Sequence, residues 1–184
     1  MTPLLVSWTN QEHSLRVINL RLALLAAWLG VAIYFSAVVA PSAFSVLRSF
    51  GLTNAGEIAG TIVTRTLYIV NVSGLLVSLF LLVTAYLVRK YYGRASFIML
   101  NGLLIIVAVS TAVGEWVIAA RMRGLRAAMH GQIDQVALND PNRIAFAALH
   151  GYSVAALSVA MIAALVVLVL MILSRPKPVS SIAE

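Results

Sequence analysis

The sequence predicts an all-α integral membrane protein: an antiparallel four-helix transmembrane bundle with interfacial helices in its first and third connectors. Three observations carry that expectation. Hydrophobic residues make up 61% of the 184 positions and charged ones only 10%, against about 45–50% and about 25% in a soluble domain. Four stretches are long enough to cross a hydrocarbon core of roughly 30 Å at about 1.5 Å per helical residue. The arginines flank apolar runs, as anchoring at a membrane edge requires, so the net charge of +7 belongs with a lipid bilayer and not with nucleic acid. With no cysteine in the chain, disulfides, thiolate metal sites and iron–sulfur clusters are excluded.

Residues 1–21 hold Leu4, Leu5 and Trp8 beside Glu12, His13 and Arg16, which suits an interfacial segment with Trp8 at headgroup depth. The first span covers about 22–41. Its apolar run of 19 residues, Leu22–Ala40, exceeds the 7–15 or so of a signal-peptide core, so it reads as a retained helix that Pro41 ends or kinks. Residues 42–60 then place Phe44, Leu47 and Phe50 around Arg48, an interfacial pattern. Asn54 followed by Glu57 has the form of a helix start. The second span covers about 62–88, with Arg65 at its mouth, and closes at Arg89, Lys90 and a turn through YYGR (91–94).

The third span, about 95–120, is uncharged as far as Glu115. In the connector from Arg121 to Arg143, Met122, Leu125, Met129, Ile133 and Val136 recur at helical spacing and predict an amphipathic surface helix. Asp140-Pro141 supplies an N-cap and an N1 proline for the fourth span, about 144–173. That span has thirty residues without an Asp, Glu, Lys or Arg. Residues 174–184 form a polar tail. Four spans put both termini on one side, and seven Lys and Arg there against six opposite favour the cytoplasm for the termini.

An up-down bundle brings one set of polar groups to one leaflet: Glu115, His150, Arg65, Arg143, Asn71 and Ser36. Ionisable groups inside a span are expensive, so they tend to face the bundle, to pair, and to mark function. Each also has a plainer reading. Arg65 can snorkel to the headgroups, Glu115 can form a structural ion pair with Arg65, Arg121 or Arg143, and His150 can simply bond between helices. Asn71 and Ser36 can be packing groups, and Thr111 can back-bond to its own helix. The small residues Gly151, Ala155, Ala156, Ala160 and Ala164 permit close helix approach. Met122, Met129 and His130 are too few on a connector to argue for copper. Haem held by two imidazoles has no evident partner for His150, since His13 lies on the far side and His130 in the connector.

Four segments in order, WLGVAIYFSAVVAPSAFSVL (28–47), AGEIAGTIVTRTLYI (55–69), EWVIAARMRGLRAAM (115–129) and RIAFAALHGYSVAALS (143–158), resemble the family of transmembrane protein two-hundred-and-five. Phe146, Leu149, His150, Gly151 and Ser153 form its most recognisable piece. Bacterial members of that family are a domain of unknown function, so the resemblance implies a bacterial plasma-membrane location. It also carries a distant similarity to copper-resistance membrane proteins and to a four-helix haem-dependent protoporphyrinogen oxidase, which makes copper and haem the cofactors to consider. The function classes that remain are a membrane module that binds or passes a small polar solute, metal ion or proton, an accessory subunit among other membrane-protein subunits, and a haem redox protein. No catalytic motif points to an enzyme.

Overall fold

The computed structural model describes residues 3–129, 131 and 133–174, with side chains from Leu15 onward. The roles expected of Trp8 and His13, of His130 and of the tail beyond Ser174 lie outside the described side chains. Helix α1 (Pro3–Tyr34) passes through a π turn (Phe35–Val39) into α2 (Ala40–Ser49) without a break. Helix α3 (Ala55–Val83) is followed by the short α4 (Ala85–Val88) and a 3-10 turn (Arg89–Tyr91). Helix α5 (Arg94–Ala112) continues through a second π turn (Val113–Ala119) into α6 (Ala120–Ala128), and α7 (Pro141–Leu173) completes the described fold.

Four continuous helical stretches, Leu15–Ser49, Ala55–Val83, Arg94–Ala128 and Pro141–Leu173, are long and apolar enough to cross a membrane. Each packs against its neighbours in chain order, and the fourth closes against the first. The core is a set of stripes at helical spacing: Ile18, Leu22, Leu25, Leu29 and Ala32 on the first span, and Leu157, Ala160, Ala164, Val167 and Met171 on the fourth. Only about a third of each apolar window is buried. Val31, Leu76, Val83, Ile98 and Ile162 face outward, and an apolar surface of that extent is at home only in lipid.

The four-span count agrees with the sequence, but the helix ends do not. Pro41 does not end the first helix. The ring has no N–H to give and would clash with the carbonyl four residues back. The π turn immediately before it, in which the Ala40 N–H reaches Phe35 O, widens the backbone there. The interfacial stretch expected in the first connector is therefore a continuation of helix one to Ser49. The turn that follows is made at Gly51, whose φ of 65° suits glycine. The second helix starts at Ala55, so Arg65 lies ten residues inside it and not at its mouth.

The amphipathic helix of the third connector is likewise an extension of helix three, and it stops at Ala128. Beyond it, Ile133 and Val136 sit in turns. These turns are held by polar ties, not by an apolar face: Arg126 donates to Glu57 and to Gly131 O, Gly56 N–H donates to Asp134 Oδ2 at 3.0 Å, and Ile133 N–H donates to Glu57. Asn54 occupies the N-cap position of α3 without a side-chain cap, and Glu57 is turned to Arg126. Asp140 does cap the fourth helix, accepting from Asn142 N–H at 2.8 Å and Arg143 N–H at 3.2 Å, with Pro141 beginning the first turn.

Candidate functional site at the second π turn

Among the described residues the buried polar side chains are Arg21, Asn71, Ser78, Thr111, Glu115 and Ser153. Glu115 is the only acid in that set. It sits on the π turn Val113–Ala119, which packs against both the second and the fourth span. Wide turns of this kind often occur at functional sites, because one extra residue per turn re-aims the side chains that follow.

That re-aiming supplies Glu115 with its partner. On a regular α-helix a residue eight positions on lies about 80° round the axis. The wider turns reduce this offset, and Arg123 reaches back to place Nη1 3.0 Å from Glu115 Oε1. The two side chains differ sharply in environment, with the Glu115 side chain 4% exposed and the Arg123 side chain 55% exposed. The carboxylate is thus sealed within the bundle by a cation whose own side chain reaches the surface.

Asn71 lines the same turn. A Cβ added at Gly114 would lie 3.4 Å from Asn71 Nδ2, so the glycine leaves room for the carboxamide to press against the backbone one residue before Glu115. Asn71 is itself buried, 2% exposed. Thr111, one turn earlier, is occupied by its own helix, bonding Val107 O at 2.8 Å and Ala108 O at 3.1 Å.

The other groups expected at this leaflet are not buried with Glu115. Ser36 is exposed and back-bonds to Ala32 O at 2.9 Å. Arg65 and His150 are exposed. Arg143 is half-buried and donates to Val136 O. The expected partners of Glu115 were Arg65, Arg121 or Arg143; the structure gives Arg123 instead. The buried stripe of the fourth helix stops at Ser153, and His150 lies one turn beyond it on the outer surface.

The residue that sequence reasoning missed is Arg21. Placed in the N-terminal interfacial segment by its position, it is 3% exposed and bonds Leu81 O and Thr84 Oγ1, each at 2.5 Å. Its spacing carried the signal: Arg21 falls three residues after Ile18 and four before Leu25, on the buried stripe of helix one.

A family model matches residues 23–131, more than half of the chain, and is described as a domain of unknown function, DUF4149. The chain belongs to the DUF4149 family. The DUF4149 match takes in the first three spans with Asn71, Glu115 and Arg123, and it ends before the Phe146–Ser153 motif. Searches of curated proteins and of solved structures found no match.

Proposed function

We propose that this DUF4149 protein is a small membrane module that takes a proton, a small polar solute or a metal ion onto the Glu115 carboxylate, with Asn71 as a second polar contact. The observation that carries this reading is a sealed carboxylate paired with a cation that is itself half outside the bundle. A buried carboxylate is costly unless it is paired. Movement of Arg123 toward the surface removes that pairing, and the carboxylate then takes a proton or another cation in its place. A proton or a hydrogen-bonding solute needs no ligands beyond one carboxylate and one amide, whereas a metal ion needs more. The protein sits in a bacterial plasma membrane with both termini cytoplasmic, in keeping with the distribution of its Lys and Arg.

Reconstitution into vesicles tests this. Under an imposed potassium potential, proton uptake and solute-driven pH changes are read with an internal pH dye. Wild-type vesicles are expected to exceed empty ones, Glu115→Gln to fall to the empty level, and Arg123→Gln to alter the rate. Equal flux in wild type and Glu115→Gln removes the proposal.

A second reading, an accessory subunit of a larger membrane assembly, is favoured by His150. An imidazole facing outward beside the open Gly151 is the kind of group that another helix would satisfy. Extraction in mild detergent discriminates: co-migration in a stoichiometric assembly, lost in His150→Leu, supports it, and a lone monodisperse species opposes it.

A further inference from the structure

At the end of the bundle that carries the second connector, an open cleft of about 750 Å³ is walled by Tyr86, Leu87, Arg89, Lys90, Tyr92, Arg94, Phe97 and Ile98. Three of the eight are cations and none is an acid. Two of the cations are held by rings: the Arg89 guanidinium carbon lies 5.6 Å from the Phe97 ring centre and Lys90 Nζ lies 5.0 Å from that of Tyr91. Helix α5 starts at Arg94 behind Gly93, and its first-turn N–H groups have no side-chain cap. The positive end of a helix therefore opens beside the cleft.

Tyr92 connects this cleft to Arg21, since it belongs to the wall and interacts electrostatically with that guanidinium. Arg21 is a buried cation with no carboxylate partner among the described residues. Its Nη1 is used on Leu81 O and Thr84 Oγ1, while its Nε is buried and has no hydrogen-bond partner. Such a group is expensive in the bundle unless an anion lies close by. Leu87 and Ile98, both more than half exposed, extend the cleft along the outer apolar surface.

We propose that this cleft is a binding site for the phosphate headgroup of an anionic phospholipid, with Arg89, Lys90 and Arg94 on the phosphate and an acyl chain along Leu87 and Ile98. The arrangement joins a cationic pocket to a lipid-facing groove, so it suits an amphiphile better than a free ion. Burial pushes the Tyr92 phenol above its ordinary pKa, with Arg21 opposing, so the hydroxyl stays a donor for a phosphate oxygen across the neutral range.

Native mass spectrometry of the full chain released from detergent tests the site, with palmitoyl-oleoyl phosphatidylglycerol as probe, the matching phosphatidylcholine as neutral control and inorganic phosphate as free ion. Wild type is expected to retain phosphatidylglycerol roughly tenfold or more over phosphatidylcholine, from about one favourable contact per basic side chain. The double variant Arg89→Gln/Arg94→Gln should lose that preference while keeping its far-UV spectrum, and Arg121→Gln, a cation at the opposite end, should keep it. Tyr92→Phe should weaken retention without abolishing it. Equal retention of the two lipids by wild type, undiminished preference in the double variant, or displacement of the lipid by millimolar phosphate would each overturn the proposal.

Discussion

Gly74→Ala is the sharpest stability prediction. At an ordinary helical position this change stabilises by about 1 kcal/mol, because alanine loses less backbone freedom. At Gly74 the added methyl would lie 2.6 Å from Trp28 Cε2 and 2.7 Å from Cζ2 and Nε1, whereas carbon atoms rest at about 3.5–4.0 Å. The ring must therefore shift by about 1 Å. It has little room to do so: Trp28 is 4% exposed, and its Nε1–H donates to Val70 O at 2.9 Å. Overpacking costs about 1–3 kcal/mol, and a buried donor pulled from its acceptor about 1–3 more. Set against the helical gain of about 1 kcal/mol, the expected net loss is about 1–5 kcal/mol, centred near 3. Reversible unfolding in mixed detergent–dodecyl sulfate micelles, followed by circular dichroism, measures it. Gly102→Ala, where nothing lies within 4 Å, should instead stabilise by about 0.5–1 kcal/mol. Trp28→Phe removes the tether, so the double variant should be less destabilised than the sum of the singles by about 1 kcal/mol. If Gly74→Ala is as stable as Gly102→Ala, the packing of helix one on helix two is not as described.

Three further outcomes are expected. Asp140→Ala removes a cap that satisfies two N–H groups of the fourth helix and should cost about 1 kcal/mol in the same unfolding assay. Glu57→Gln breaks the pairing with Arg126 and weakens the tie to Ile133 N–H, so trypsin should cut the third connector several-fold faster; unchanged cleavage would contradict the clamp. Gly51→Ala forces a side chain onto a φ of 65° and should cost about 1 kcal/mol.

The membrane class and the four spans were legible because a run of twenty or so apolar residues has few other uses. The fourth helix start was legible for a similar reason, since Asp140-Pro141 is local chemistry that needs no partner from afar. Helix ends were obscured where the chain absorbs a breaker: a π turn, which leaves no mark in composition, carries helix one past Pro41. The same device hid the partner of Glu115, because a second π turn alters the helical phase that would otherwise be counted from the sequence. Arg21 was read as a flank because charge beside an apolar run usually is one, although its place on the Ile18–Leu25 stripe pointed inward. His150 shows the converse, an apolar-helix histidine that lies outside the core.

The Glu115 side chain is sealed inside the bundle beside Arg123, and we propose that it takes up a proton or cation when Arg123 leaves it. The pH-induced infrared difference spectrum of the bilayer-reconstituted protein, compared with that of Glu115→Gln, tests this directly. A carboxyl band of low hydration that is present in wild type, absent in Glu115→Gln and displaced in Arg123→Gln is the expected result. Identical carboxyl regions in wild type and Glu115→Gln would contradict the account.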